Sequence, residues 1–486
     1  MKYPAGITKG ALEEIFKDCG DFQSENILTG GGSVPVYLYF IDGLVMGSTI
    51  AESVIRPLTS SERMGSAENE KEVLSYLSGG AVYGYALKER TELDDVVSDL
   101  LNGRCVILLP KTRAAVTFEV KTAEKRSISE PMEEKVVKGA KDGFIEQIRT
   151  NTMLIRRKLK TADLKVKQLT VGRDSATQVE IIYISGLTNM GFVDEMEKRL
   201  KSIDIDGALT AGSIEEYITD NPRSPFPQLL RTERPDRFAM NLLEGRVGVL
   251  IDGLPMGYMA PGTLAQFIKV PEDAAEHYLV ASALTLLRYT GLIISLLLPA
   301  IYVAIALYHQ EMLPTKLMQS IIDSKQSVPF PTWVEALAML AAFDLLQEAG
   351  LRLPNTVGET VSIIGALIVG QSAVEAKVVS PVVVIVIALA GIAGYTIPNQ
   401  DLSAAVRMCR FLLVIAAILG GMFGVAIGVV LLVYHLSTID SFGVAYLSPF
   451  SGEKISEVLR AVVRLPESQT NEREAALSPQ RIKRRK

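Results

Sequence analysis

Short apolar runs bounded by glycines and charged stretches fill the chain up to Arg288, and beyond it the pattern changes to closely spaced, almost uncharged runs. Leu284 to Tyr308, Val361 to Gly370, Pro381 to Ile397 and Phe411 to Leu436 are too apolar for an ordinary protein surface. Two of them reach the ~20 residues needed to cross ~30 Å of hydrocarbon. The pattern predicts an α/β N-terminal soluble region followed by an all-α polytopic membrane domain.

The soluble region repeats itself. Tyr39-Phe-Ile-Asp-Gly-Leu-Val-Met-Gly47 resembles Ile182-Tyr-Ile-Ser-Gly-Leu-Thr-Asn-Met-Gly191 and Leu250-Ile-Asp-Gly-Leu-Pro-Met-Gly257. In the first two, the apolar run reads as a buried strand, the glycine as a tight turn, and an amphipathic helix follows. After the second copy, Phe192, Met196 and Leu200 share one helical face, with Asp194, Glu195, Lys198 and Arg199 opposite. Two similar strand-turn-helix subdomains are expected, residues 1–125 and 126–275, with a charged connector from Thr122 to Lys138 between their cores. Asp42 and Asp252 read as Asp-Gly turn residues that cap local amides rather than as catalytic acids. Gly30 to Gly32 lacks the spacing of a phosphate-binding loop.

Residues 276–440 are expected to form the membrane domain, with about four crossings, and residues 441–486 a cytosolic tail ending in the basic run Arg481 to Lys486. In the longest run, Ala416, Gly420, Gly424 and Gly428 recur every four residues on one helix face, the spacing that lets helices approach closely within or between subunits. Ser362, Ala366 and Gly370 make a shorter version. Pro299 is a candidate helix kink. The segment 331–350 has helical periodicity but carries Glu335, Asp344 and Glu348, and Glu375 follows downstream. Acids at membrane depth must face protein or water, so these four are candidate pore or vestibule acids. An amphipathic helix lying at the bilayer surface is the competing reading of 331–350. The basic tail belongs on the cytosolic side. Four crossings then leave Arg407 and Arg410 awkwardly at the outer side.

Composition narrows the function. The 486 residues carry a net charge of −5 and no basic, aromatic-interleaved patch, so nucleic acid is not an expected partner. Cys19, Cys105 and Cys409 are odd in number and scattered, which argues for a reducing compartment. The first residues lack the apolar core of a signal peptide, so the N-terminal region is expected in the cytosol. His277, His309 and His435 form no metal-ligand pattern. Neither enzyme activity nor a cofactor is expected.

One ordered series of blocks points further. Ser224-Pro-Phe-Pro-Gln-Leu-Leu-Arg-Thr-Glu-Arg-Pro-Asp236 leads through Leu243-Glu-Gly-Arg246 into Ile251-Asp-Gly-Leu-Pro255. Beyond lie Leu296-Leu-Leu-Pro-Ala-Ile-Tyr302, Gln310-Glu-Met-Leu-Pro314, Val328-Pro-Phe-Pro331, Gly370-Gln-Ser-Ala-Val-Glu-Ala376 and Ser441-Phe-Gly443. Upstream, Lys141-Asp-Gly-Phe-Ile-Glu146, Arg149-Thr-Asn151, Arg156-Arg157 and Ile203-Asp-Ile-Asp206 fit the same series. The chain resembles the A subunit of GerA-type spore germinant receptors over residues 135 to 452. That resemblance implies an integral protein of the spore inner membrane, working with a permease-like B subunit and a lipoprotein C subunit. It implies a homo-oligomer, with a pentamer as the expected form, that opens as a ligand-gated cation channel. The small nutrient germinant is expected to bind through the B subunit, and membrane lipid is the surrounding partner. The chain departs from the family's pattern at Leu340, Asp344 and Gln347, which puts its ring charge in question. A secondary transporter of small nutrients or ions, and a non-conducting scaffold or signalling subunit, are the alternative readings.

Overall fold

The computed structural model describes residues 3–484 except 4–5, 30–31, 33, 81, 83–85, 121–130, 132–133, 135–137, 209, 353–369 and 453. Most of the charged connector, and Ser362 and Ala366 with most of their apolar run, therefore lie outside the described residues. The chain divides into two units. One comprises residues 1–219, 229–261 and 470–486; the other comprises 220–228 and 262–469.

The first unit holds two lobes. In the first lobe, α1 (Lys9–Ile15) precedes β1 (Phe22–Leu28) and β2 (Pro35–Ile41); α2 (Glu70–Ser78) precedes β3 (Lys88–Arg90), α3 (Leu93–Leu101), β4 (Arg104–Leu109) and β5 (Ala114–Glu119). In the second, α4 (Ile148–Lys158), β6 (Leu164–Val171), β7 (Thr177–Ile184), α5 (Met190–Lys201) and α6 (Ala211–Ile218) are followed by β8 (Leu230–Thr232), α7 (Pro235–Glu244), β9 (Val247–Ile251) and β10 (Gly257–Ala260). The two sheets have the same antiparallel order, β1-β2-β4-β5-β3 and β6-β7-β9-β10-β8. The repeat seen in the sequence is thus a repeat of topology. Gly43 and Gly186 follow equivalent strands and both take positive φ, the conformation that glycine adopts without a Cβ penalty. The third copy closes the β9–β10 hairpin instead.

Each sheet is built from buried apolar strands. β4 is buried at every position and pairs with β5 from Arg104↔Glu119 to Leu109↔Ala114. One face of the first sheet packs on the helical segments between Gly47 and Ser78, the other on α1 and α3. Of the two Asp-Gly aspartates, Asp42 caps its local turn, whereas Asp252 caps a helix 104 residues away in the chain. Asp42 accepts a hydrogen bond from the Gly43 amide at 3.0 Å, and Asp252 accepts one from the Ile148 amide at 3.1 Å, at the first turn of α4.

The lobes are joined by a buried ion pair. Arg156 on α4 donates through Nε and Nη2 to the two carboxylate oxygens of Asp21, each at 2.7 Å, and through Nη1 to the Leu164 carbonyl at 3.0 Å. Burial disfavours the Arg156 charge, but Asp21 offsets this and holds the guanidinium above its ordinary pKa. Alongside, the Gly20 amide donates to Val166 O at 2.8 Å and the Val166 amide to Asp18 O at 3.1 Å, so the first lobe extends the edge of β6. Glu180 is buried nearby on Thr152 and Gln168, and burial raises its pKa above the usual carboxylate value.

Residues of the basic tail are also part of this unit. Arg246, fully buried, donates to Glu474 at 2.7 Å; Arg473 donates to Leu243 O at 2.7 Å; the Gln480 amide donates to Leu187 O at 2.9 Å and Arg481 to Gly186 O at 3.0 Å. The tail is a strap across the loops of the second lobe.

The second unit is helical apart from the two-residue strands β11 (Asp440–Ser441) and β12 (Val444–Ala445), as far as the described residues go. Its helices of eight or more residues, among the described residues, are α8 (Tyr278–Tyr308), α9 (Thr315–Lys325), α10 (Thr332–Arg352), α11 (Pro381–Gly394), α12 (Gln400–Thr438) and α13 (Ile455–Val462). Two of them, α8 and α12, are long and apolar enough to cross a membrane, α12 when counted from end to end across the non-helical Gly421. The helical C-terminal part follows the α/β part as the hydrophobic pattern predicts.

Candidate functional site

Small residues set the helix packing around the acid-bearing α10. A Cβ on Gly291 of α8 would collide with Thr396, and one on Gly394 of α11 would lie 3.0 Å from the Ser295 hydroxyl of α8. The two contacts run in opposite directions along the helices, so α8 and α11 are antiparallel. Against α11 lies α10, with Ala336, Met339 and Leu340 buried on one face and Phe343 at the backbone of Gly391. Pro299 is buried within α8 without interrupting it, because a proline's lost hydrogen bond is tolerated where neighbouring helices pack closely.

The interruption is elsewhere, at Gly421 in α12. Its φ of 59° and ψ of −141° fall where only glycine is at ease. The chain folds back there. A Cβ on Gly424 would collide with the Ala416 carbonyl, and one on Gly428 would lie 2.6 Å from Leu413 and 3.6 Å from the Ala416 methyl. Residues 400–420 and 422–438 are therefore two arms of a helical hairpin, ~31 and ~25 Å long at 1.5 Å per residue. The run from Phe411 to Leu436, expected as one span, is divided between these arms. Ala416, Gly424 and Gly428 pack the arms on each other, whereas Gly420 stands at the bend with nothing within 4 Å. The Tyr308 hydroxyl, at the end of α8, donates to Ile418 O at 2.7 Å and ties down the bend.

The four acids have different surroundings. Glu335 is 1% exposed; its Oε2 accepts from the Ser380 amide at 2.7 Å, Tyr302 lies beside it, and its Oε1 has no partner among the described residues. Asp344 accepts from Arg410 Nη2 at 2.7 Å, the aspartate side chain 22% exposed and the arginine 3%. Arg410 Nε has no partner among the described residues. Arg410, misplaced in a simple count of crossings, is thus the counter-charge of an acid in the bundle. Glu348 is exposed, and exposed Glu375 accepts from Gln371 at 2.8 Å. Glu335 and Asp344 do not meet; each serves a different pair of helices. No group of three or more His, Cys, Asp or Glu side chains among the described residues is arranged to hold a metal ion.

Sequence reasoning missed both Arg410 and the bend. The arginine could have been found as the cation that a half-buried Asp344 in an apolar bundle favours. The doublet Gly420-Gly421 was the signal for the bend, hidden inside a regular four-residue spacing.

Comparison with known proteins gives a consistent picture. The family described as Bacillus/Clostridium GerA spore germination protein matches residues 10–476. The Bacillus subtilis (strain 168) uncharacterized membrane protein YfkQ is 39% identical over 95% of this chain and 87% of its own length. Spore germination protein KA of the same strain is 38% identical, over 89% and 79%. Spore germination protein GerLA of Bacillus cereus is 34% identical, over 96% and 95%. The crystal structure of the N-terminal domain of the A subunit of the Bacillus megaterium spore germinant receptor GerK3 is 29% identical, covering 53% of this chain and 96% of that one, with a TM-score of 0.43.

Proposed function

This chain belongs to the Bacillus/Clostridium GerA spore germination protein family, and from that premise we propose that it is the A subunit of a nutrient germinant receptor in the spore inner membrane. In this reading it assembles with further copies of itself, a permease-like B subunit and a lipoprotein C subunit, and forms a ligand-gated cation path that starts germination.

The observation that carries the membrane part of this reading is the outward belt of large apolar side chains. Leu286, Leu287 and Ile293 on α8, and Leu419, Phe423, Val430 and Leu431 on the two arms of α12, are all exposed on long apolar helical segments. Exposure of that extent in water is an aggregation hazard, and in lipid it is the expected surface. The polypeptide leaves the first unit after Pro261 and rejoins it at Thr470. Two ends anchored in one water-facing unit fit an even number of crossings, and in this reading that unit lies on the cytosolic side.

The acids divide by environment. Glu335 and Asp344 are held inside the subunit and set the helix positions, so we assign the lining of a cation path to exposed Glu348 and Glu375. Rings of carboxylates select cations by charge. The test is ion flux through the purified protein in liposomes, alone and with its partner subunits and germinant, after sizing the oligomer. A discrete ring whose cation-over-anion preference drops in Glu348→Gln or Glu375→Gln is the expected result. A well-assembled ring without flux, or flux indifferent to both substitutions, would move the assignment to a non-conducting scaffold or to other lining residues respectively.

A further inference from the structure

Of the helices in the second unit, α9 stands apart: none of its residues is buried. Its sequence is nevertheless amphipathic. Leu317, Met318, Ile321 and Ile322 fall on one arc of the helix, and Lys316, Gln319, Ser320, Asp323 and Ser324 on the other. Leu317 is 48% exposed and Ile322 45%. Lys325, in the last turn, reaches the Thr332 hydroxyl at the start of α10. An apolar stripe on a short helix does not form in water for its own sake, since helices of this length are marginal without a surface to pack on.

The position of α9 identifies that surface. It joins the last turn of α8 to the first turn of α10, so it lies at one end of the helix bundle, the end where Tyr308 holds the bend of α12. Its apolar arc continues the exposed belt there, through Tyr308, Met312 and Leu419. Phe330 and Trp333 are exposed at the same end, and Trp333 is the chain's single tryptophan. Aromatic residues gather where hydrocarbon meets headgroups. We propose that α9 lies in the plane of the bilayer, with Leu317, Met318, Ile321 and Ile322 in the acyl boundary and its polar arc among the headgroups. This rests on the membrane reading above and deepens it, because it moves the surface-lying role from 331–350 to 315–325. The buried face of α10 is taken up by α11, whereas α9 makes only a slight contact with α11, with Met318 and Ile321 half-buried and Leu317 and Ile322 exposed.

The single tryptophan makes the test direct. The full chain is reconstituted in phosphatidylcholine/phosphatidylglycerol vesicles whose acyl chains carry bromine either near the headgroup or near the methyl end. Tryptophan fluorescence is read in three proteins: the unaltered chain, Trp333→Phe with Ile322→Trp, and Trp333→Phe with Leu431→Trp. The expected result is that Trp333 and the reporter at 322 lose roughly twice as much fluorescence to shallow bromine as to deep, and the reporter at 431 shows the reverse. A quenched reporter at 431 with an unquenched one at 322 would overturn the proposal and leave water or a second copy of the chain as the cover of α9. No quenching at 431 would instead remove the membrane reading, and this inference with it. Trp333 needs no substitution, so a folding defect in either variant does not blunt the test.

Discussion

The chain buries two arginines in two ways. Arg156 meets Asp21 through a two-pronged fork and spends its remaining nitrogen on a carbonyl, so each of its three nitrogens has a partner. Arg410 meets Asp344 through one nitrogen, has no partner for Nε among the described residues, and has a partner with access to solvent. Glu335, in the same bundle, also has one oxygen bonded and one without a partner among the described residues. Unsatisfied polar atoms are costly in a low-dielectric interior, and natural folds keep them where a second arrangement is used. The satisfied pair locks two lobes into one unit. The half-satisfied groups mark the part of the molecule with something left to bind or to rearrange.

The comparison can be broken most forcefully at the arginines. Arg156→Ala strands a buried Asp21 and should cost about 3–5 kcal/mol, read as loss of hydrogen-exchange protection in β6 and α4. Arg410→Ala should cost the helical unit less, about 1–3 kcal/mol, since Asp344 can recover water. Equal losses would mean that the two sites are energetically alike after all.

The hairpin glycines sharpen the contrast between packing and bend. Gly424→Ala forces the arms apart and should destabilise the helical unit by about 1–3 kcal/mol. Gly420→Ala, with open space around it, should gain up to about 1 kcal/mol from helix propensity. Thermal unfolding in detergent of both variants reads the opposite signs; the same sign would dissolve the hairpin geometry.

Glu335→Gln tests the half-satisfied acid. The Ser380 amide keeps an oxygen acceptor, so stability should change by less than about 1 kcal/mol, and a large loss would identify a charge that the fold itself needs. The smallest effect belongs to Glu180. Its folded pKa is raised, so its contribution is fully present below the ordinary value of 4.5 and is lost as pH rises through the raised one. The melting-temperature advantage of Glu180→Gln over the unaltered chain should therefore grow as pH rises from 4.5 upward. An advantage that shrinks with rising pH would reverse the sign of the shift.

Legibility in the sequence followed distance along the chain. The strand-glycine turns after β2 and β7 were readable because an apolar run and a glycine sit side by side, and both lobes inherited the same strand order from them. The Arg156–Asp21 pair joins residues 135 apart and Arg410–Asp344 residues 66 apart; no local pattern announces either. The bend at Gly421 was unreadable for a different reason. An uninterrupted apolar run has the same composition whether it crosses once or doubles back, and the four-residue glycine spacing serves both. The acids of α10 were visible as residues, but whether each faced a neighbour or the outside depended on Ser380 and Arg410, supplied by other helices.

The strap across the second lobe has a consequence for biosynthesis. Arg246 leaves the ribosome long before Glu474, and every helix of the second unit is made in between. Until translation reaches the strap, the Arg246 guanidinium has the Pro261 carbonyl and Asn241 as acceptors but lacks its carboxylate partner. A chain that stalls midway keeps that defect, and quality-control proteases act on such locally open segments. Closure of the first unit therefore has to wait until every helix of the second unit has been synthesised.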